Sequence, residues 1–167
     1  MSESTHPDAG TSTADQAREE DVLENQVELI QVIGLKLAAE SFIVDILNVS
    51  EIVRFNELEI TRVPHAHDYV LGVVNLRGKV VPVVDLCQRL QLSSAERDHR
   101  ARLIVVEIAD HIVGFTVDAV SEVLSLPKNQ IEPGAAGEDH VIGLATVNDQ
   151  IMTMLDLEKI LMPPVQL

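Results

Sequence analysis

Short apolar stretches, many of them alternating with polar positions, run along most of the chain. Val, Ile and Leu recur in these stretches, and Gly, Pro and Asn separate them. Short runs rich in β-branched side chains and bounded by turn residues are typical of β-strands. The clearest cover residues 42–46, 80–84, 103–106 and 112–117. Many short strands with few helical patterns predict an all-β fold, either a barrel or a sandwich.

Two polar segments divide this pattern. Asn75–Lys79 lies between two apolar stretches and predicts a hairpin turn, in which Gly78 is free to adopt a positive φ. Residues 93–102 are polar and charged with no apolar period, so they predict a surface connection between two halves of the domain.

The two halves resemble each other. Residues 71–86 align with residues 142–157 at a constant offset of 71, which pairs Gly72 with Gly143 and matches nearly every apolar position. An internal repeat of this length predicts two copies of one small β unit. Each copy is expected to have about five strands and to end in a short helix.

Asp85 and Asp156 occupy equivalent positions of the repeat, where each helix would begin. An aspartate is a favoured N-cap because its carboxylate accepts backbone N–H bonds from the first turn. Gln88 is expected to complete a capping box after Asp85. Helix capping therefore explains the two aspartates better than a catalytic pair does.

Composition and charge exclude several classes of partner. Aromatic residues make up only 2% of the chain and Trp is absent, so the interior must be built from aliphatic side chains that suit a sheet. The 27 acidic residues outnumber 12 basic ones, giving a formal net charge of −15. Such a chain repels phosphate and anionic lipid headgroups, so we expect no nucleic-acid partner and no direct membrane insertion.

The single cysteine, Cys87, cannot form an internal disulfide, and the polar N-terminus lacks the pattern of a signal peptide. Both features predict a cytoplasmic location. Residues 1–25 carry seven acidic side chains against one basic side chain and predict a disordered segment. There is no glycine-rich phosphate loop, and no cofactor is expected.

The order of these segments resembles the CheW-like domain from about Val32 to Leu161. The most specific piece is Gly72–Leu86, which is similar to the family's central signature over its whole length. Other pieces follow in family order. They are Leu35–Phe42, Ile43–Ile52, Val117–Leu124 and Ile142–Ala145.

This resemblance implies a fold and a function. The fold would be two SH3-like five-stranded β-barrels around a shared apolar core, with short helices. It would form one CheW-like domain of two intertwined subdomains over residues 26–162, with a C-terminal tail at 163–167. The family has no catalytic activity. It bridges the cytoplasmic tips of methyl-accepting chemotaxis receptors to the regulatory domain of a CheA-type histidine kinase.

The resemblance also implies partner-contact residues, and the strongest is Arg77, which falls on the family's signature arginine. A guanidinium at a turn tip offers a planar fork of donors to a partner. The residues assigned to receptor binding are Arg77, Val49, Ile46, Asn75 and Gly78, and the residue assigned to kinase binding is Glu51.

Several of these residues also have a purely structural interpretation. Asn75 and Gly78 are turn formers that would hold Arg77 in place, while Val49 could be a core residue and Glu51 a solvated charge. Ile43 could line the receptor groove or be buried. Its strand parity is opposite to that of Ile46, so we do not expect both to face the same side.

A second hypothesis makes the chain a small β-barrel enzyme or ligand-binding protein that uses Asp85, His65 and His67. The histidine pair invites a metal site, but a structural zinc site needs four ligands and no other cluster has suitable spacing. Cys87 has no partner base at a recognisable spacing and is expected to pack in the core. A third hypothesis keeps the adaptor fold but assigns it to twitching or to another chemosensory pathway.

Overall fold

The computed structural model describes residues 27–93, 96–134 and 139–161. The predicted disordered segment at 1–25 and the predicted tail at 163–167 lie outside these residues, and the boundaries of the 26–162 domain stay a prediction. Eleven strands and two short α-helices account for most of the described chain, which confirms the all-β fold class.

The first copy of the repeat contains five strands and one helix. The strands are β1 (Leu29–Leu37), β2 (Glu40–Asp45), β3 (Val49–Arg54), β4 (Val70–Leu76) and β5 (Lys79–Asp85), and the helix is α1 (Leu86–Arg89). Short 3-10 turns at Ile46–Asn48 and Phe55–Glu57 precede and follow β3. Ile46 therefore begins a turn instead of ending the strand predicted at 42–46.

The second copy follows after the surface connection. Its strands are β6 (Arg102–Ile108), β7 (His111–Val117), β8 (Ala119–Pro127), β9 (Glu132–Pro133), β10 (Val141–Val147) and β11 (Gln150–Leu155), and its helix is α2 (Leu157–Ile160). A 3-10 turn at Lys128–Gln130 separates β8 from β9. The elements of the β4–β5–α1 unit and of the β10–β11–α2 unit begin 71 residues apart, at 70 and 141, 79 and 150, and 86 and 157, which confirms the predicted duplication.

Each sheet takes strands from both copies of the repeat. The five-stranded sheet has the order β3-β6-β7-β5-β4, and the six-stranded sheet has the order β8-β1-β2-β11-β10-β9. The first sheet thus borrows β6 and β7 from the second copy, and the second sheet borrows β1 and β2 from the first. In the five-stranded sheet β5 of the first copy pairs in parallel with β7 of the second copy, and in the six-stranded sheet β11 of the second copy pairs in parallel with β2 of the first.

Each sheet closes into a barrel because the segment that follows one edge strand pairs with the strand at the opposite edge. In the five-stranded sheet the edge strand β3 runs into a 3-10 turn, after which Thr61 bridges Val73 on the opposite edge strand β4. In the six-stranded sheet β8 runs into the equivalent turn, after which Glu132 pairs with Leu144 on β10. The sixth strand, β9, is only two residues long and is the counterpart of the Thr61 bridge.

Three apolar clusters fill the molecule. One lies inside each barrel, and the third and largest lies between the barrels. Alternate side chains of strand β6 belong to two different clusters. Leu103 and Val105 point into the five-stranded barrel, and Ile104 and Val106 point into the shared core. The predicted shared apolar core is therefore present.

Two local predictions have different outcomes. Asp85 and Asp156 cap their helices as predicted, each accepting a bond from the backbone N–H three residues later at 3.2 Å. The capping box at Gln88 is wrong, because the backbone N–H of Asp85 donates instead to the carbonyl of Tyr69 at 2.7 Å. That bond ties the end of β5 to the start of β4 and leaves Gln88 exposed.

Candidate interaction site

The β4–β5 hairpin ends in a two-residue turn made of Arg77 and Gly78. Both residues have positive φ, 53° and 83°, which is the signature of the type I′ turns that match the twist of paired strands. The Asn75 Oδ1 atom accepts a hydrogen bond from the Gly78 backbone N–H at 2.9 Å. This bond fixes the turn, and the Arg77 side chain projects from its tip with 85% of its surface exposed.

Arg77 forms an ion pair with Glu51 across the gap between the two edge strands of the five-stranded sheet. The Arg77 Nη2 atom lies 3.3 Å from the Glu51 Oε2 atom, and the Glu51 side chain is 28% exposed. Glu51 lies on β3 and Arg77 follows β4, and these are the two edge strands of the five-stranded sheet. The residue assigned by resemblance to the receptor and the residue assigned to the kinase therefore form one ion pair.

The apolar candidates occupy the segment between β2 and β3. Ile46 and Val49 are half-buried and pack against the shared core. Ile43 is fully buried inside the six-stranded barrel, so it cannot line a groove for a partner. The structure thus separates Ile43 from Ile46, as their opposite parity predicted.

Leu47 is an exposed residue that the sequence analysis did not single out. Its side chain is 87% exposed, and its backbone N–H donates to the Asp45 Oδ1 atom at 2.9 Å. Asp45 thereby caps the 3-10 turn and holds Leu47 outward between the two half-buried residues Ile46 and Val49. A period of two along the sequence could not reveal this exposure, because the strand ends at Asp45.

Of the residues that the second hypothesis names, Asp85 and His67 make structural contacts. Asp85 is buried, caps α1 and forms an ion pair with Arg97 at 2.5 Å. The Arg97 guanidinium also lies 4.9 Å from the centre of the Phe55 ring. Arg97 belongs to the segment predicted as a surface connection, and its side chain ties that segment back onto the barrel.

The histidines at 65 and 67 lie in an irregular segment between β3 and β4. His65 adopts a positive φ of 63°, and the His67 ring stacks on the Tyr69 ring with centres 5.0 Å apart. Within the residues that the structure describes, no group of three or more His, Cys, Asp or Glu side chains converges as metal ligands would.

Cys87 lies in α1 and packs in the shared core, as the sequence predicted. Burial, followed by the nearby carboxylates of Asp118 and Asp85, raises the pKa of the Cys87 thiol to about 11. A thiol with this pKa is protonated at neutral pH and is a poor nucleophile. Asp118 itself accepts the Ala38 backbone N–H at 2.8 Å and supports the β1–β2 turn.

None of the helices in the described part of the chain is both long enough and apolar enough to span a bilayer.

Comparison with known proteins identifies the family. The CheW-like domain model matches residues 31–163. The chemotaxis protein CheW of Helicobacter pylori is 34% identical over 142 residues, which cover 83% of this chain and 85% of the relative. The CheW protein of Klebsiella aerogenes is 33% identical over 130 residues, covering 75% and 77%.

A solved structure agrees with these relatives. The scaffolding protein TtCheW from Thermoanaerobacter tengcongensis superimposes with a TM-score of 0.73 at 31% sequence identity, covering 80% of this chain and 88% of that one. The family match, the curated relatives and the shared fold favour a chemotaxis adaptor over a β-barrel enzyme. The chain belongs to the CheW-like domain family and is a chemotaxis coupling adaptor, not an enzyme.

Proposed function

We propose that this chain acts in the cytoplasm, where it couples the tips of methyl-accepting chemotaxis receptors to the regulatory domain of a CheA-type histidine kinase. The receptor surface consists of Arg77 with its turn residues Asn75 and Gly78, together with Val49 and Ile46. Glu51 contributes to the kinase surface. The mechanism is geometric, since small changes at apolar interfaces shift the population of signalling states without any covalent step.

One observation carries the assignment of Arg77. Type I′ turns favour Asn or Gly at both central positions, because other side chains pay for a positive φ. The equivalent turn of the second copy follows this rule with Asn148, whose φ is 50°. Arg77 adopts nearly the same φ of 53°, as do Ala38 at 51° and Ala109 at 49° in two other two-residue turns, so the backbone conformation does not require an arginine. The Arg77 side chain differs from these in its exposed guanidinium at the tip of the turn beside Glu51, and a partner best explains that placement.

The neighbouring apolar residues extend the same surface. Leu47 is exposed beside Ile46 and Val49, so it offers an apolar contact next to the charged turn. Arginine is among the residue types that dominate binding energy at protein interfaces, and Leu47 supplies apolar surface beside it. We add Leu47 to the receptor surface on this ground.

The Arg77–Glu51 ion pair sets how a partner engages the turn. Arg77 is largely exposed, and an exposed pair of this kind contributes at most about 1 kcal/mol to stability. A receptor carboxylate or carbonyl can therefore replace Glu51 at low cost. Arg77 is held in place by the pair and still remains available to a partner.

The test is a set of substitutions at the turn. Arg77→Asn introduces the residue that occupies the equivalent position of the β10–β11 turn, so the variant is expected to fold with unchanged or slightly raised stability. Its affinity for a receptor cytoplasmic fragment, measured by calorimetry, should fall at least about tenfold, as expected for an interface hot spot. Receptor-dependent control of kinase activity should fall with it, and Arg77→Lys should restore little because lysine lacks the planar fork.

The matched control is Asn148→Ala in the β10–β11 turn, which should leave receptor affinity unchanged. A well-folded Arg77→Asn protein that binds receptor and controls the kinase like the parent would refute the assignment of Arg77. Equal losses for Arg77→Asn and Asn148→Ala would also refute it, because they would indicate a general effect of turn substitution.

A further inference from the structure

A cavity of about 460 Å³ opens where the two copies of the repeat meet, away from the Arg77 turn. Its walls come from the start of β2, the segment that follows α1, the start of β10 and the C-terminal half of β11. The parallel pairing of β2 with β11, in which Phe42 lies opposite Thr153, forms its back wall. Its volume falls within the range of about 300–1,000 Å³ that is typical of binding clefts.

The bottom of the cavity is apolar. Phe42 and Leu155 are buried members of the shared core. Leu90 and Leu92 are half-buried and pack against the same core from the side of α1. The cavity is therefore a place where the shared core opens to the surface, and an apolar side chain inserted there would contact core residues of both copies.

The mouth of the cavity is acidic. Glu40 and Asp139 line the cavity and are exposed, which places them at its opening. Within the described ranges neither carboxylate forms an ion pair. Arg89 lies beside the cavity wall, with its guanidinium 3.5 Å from the Nε2 atom of the cavity-lining His140 and 5.3 Å from the centre of the Tyr69 ring.

We propose that this cavity is a docking site for a partner polypeptide segment that carries an apolar side chain flanked by Lys or Arg. The apolar side chain would fill the space between Phe42, Leu155 and Leu92, and the flanking cation would lie beside Glu40 and Asp139. Charge complementarity favours a basic segment, because two carboxylates that form no ion pair with any described residue border an apolar floor on a chain of net charge −15. The site is separate from Arg77 and Glu51 and does not depend on their assignment.

The probe is a pair of short peptides, acetylated and amidated, with the one-letter sequences KLFK and ELFE. Each is titrated into the full-length chain, and backbone amide chemical shifts are followed by NMR. KLFK is expected to cause saturable shifts at Phe42, Leu90, Leu92 and Leu155. ELFE should bind at least about tenfold more weakly, and raising the salt concentration should weaken only the KLFK interaction.

Two double variants separate the cavity from general electrostatics. Glu40→Gln with Asp139→Asn should weaken KLFK binding by about tenfold, which corresponds to the loss of two close charge contacts. The matched control, Glu107→Gln with Asp110→Asn, removes two carboxylates that do not line the cavity and should leave binding unchanged. Amide shift dispersion in the free variants verifies that both fold.

Several results would overturn the proposal. They are an absence of saturable shifts at millimolar KLFK, equal binding of both peptides, shifts that map outside the cavity, and equal effects of the two double variants. Tighter binding of ELFE would reverse the assigned charge preference and would also reject it.

Discussion

At the scale of single residues, burial decides what each reactive side chain can do. Asp85, Cys87 and Asp118 lie near one another, and such a set could suggest catalysis. Asp85 caps a helix and pairs with Arg97, while Asp118 binds a turn amide. The cysteine between them is a core residue whose pKa is raised by burial. These side chains stabilise the scaffold.

The raised pKa of Cys87 predicts a loss of stability at high pH. The thiol pKa is about 11 in the folded chain against an ordinary value of 9.0, so the folded state holds the proton more tightly. The resulting stabilisation is complete below about pH 9 and is lost as the pH rises through 11. Two pKa units correspond to about 3 kcal/mol of unfolding free energy at most, of which about 2 kcal/mol is lost by pH 11.

Urea unfolding of the parent and of Cys87→Ala between pH 8 and pH 11 measures this effect. Other groups titrate in both proteins, so the difference between their pH profiles isolates the thiol. The parent should lose about 2 kcal/mol more than the variant across this range. Parallel profiles would show that the folded chain does not hold the Cys87 proton more tightly than the unfolded chain.

At the scale of elements, the β4–β5 and β10–β11 hairpins show which features the sequence pattern predicts and which it does not. The pattern at Asn75–Lys79 predicted the β4–β5 turn and the positive φ of Gly78, and the repeat predicted its counterpart. The ion pair of Arg77 with Glu51 was not predictable, since the two residues are distant in sequence and meet only when the barrel closes. The exposure of Leu47 was missed because a 3-10 turn replaces the expected end of the strand.

The two glycines of the β4–β5 unit predict different costs of substitution. Gly72 lies at a register shift in the β4–β5 pairing with a φ of 145°, and a Cβ there would meet the backbone carbonyl of Thr61. Gly78 has a φ of 83° but faces open space. Gly72→Ala should therefore destabilise the fold by about 3 kcal/mol, because strain and a backbone clash combine.

Gly78→Ala is the matched control and should cost only about 1 kcal/mol, the conformational penalty of positive φ. Thermal or urea unfolding of both variants measures the difference. Equal stability of the two variants would show that the close approach of Thr61 to Gly72 does not constrain the fold.

At the scale of the whole molecule, the exchange of strands makes the two barrels interdependent. The five-stranded barrel needs β6 and β7 from the second copy, and the six-stranded barrel needs β1 and β2 from the first. The resemblance to the family implied intertwined barrels. The apolar pattern alone predicted two copies but not this exchange, because a strand's alternation shows which of its faces is buried and not which strand lies beside it.

This exchange predicts that neither half of the chain folds alone. A chain divided between residues 93 and 96 should yield two fragments with little fixed structure, because each would expose the apolar face that the other covers. Mixing them should restore the amide shift dispersion of the intact chain. A fragment that folds by itself into a stable barrel would contradict the interdependence of the two barrels.

A coupling adaptor must bind the regulatory domain of a CheA-type kinase, and calorimetric titration of the intact chain with such a domain from the same source measures this binding. At physiological salt we expect saturable one-to-one binding with a micromolar or tighter dissociation constant, which corresponds to roughly −8 kcal/mol or more favourable. The absence of binding to any such kinase domain would contradict the function of a coupling adaptor.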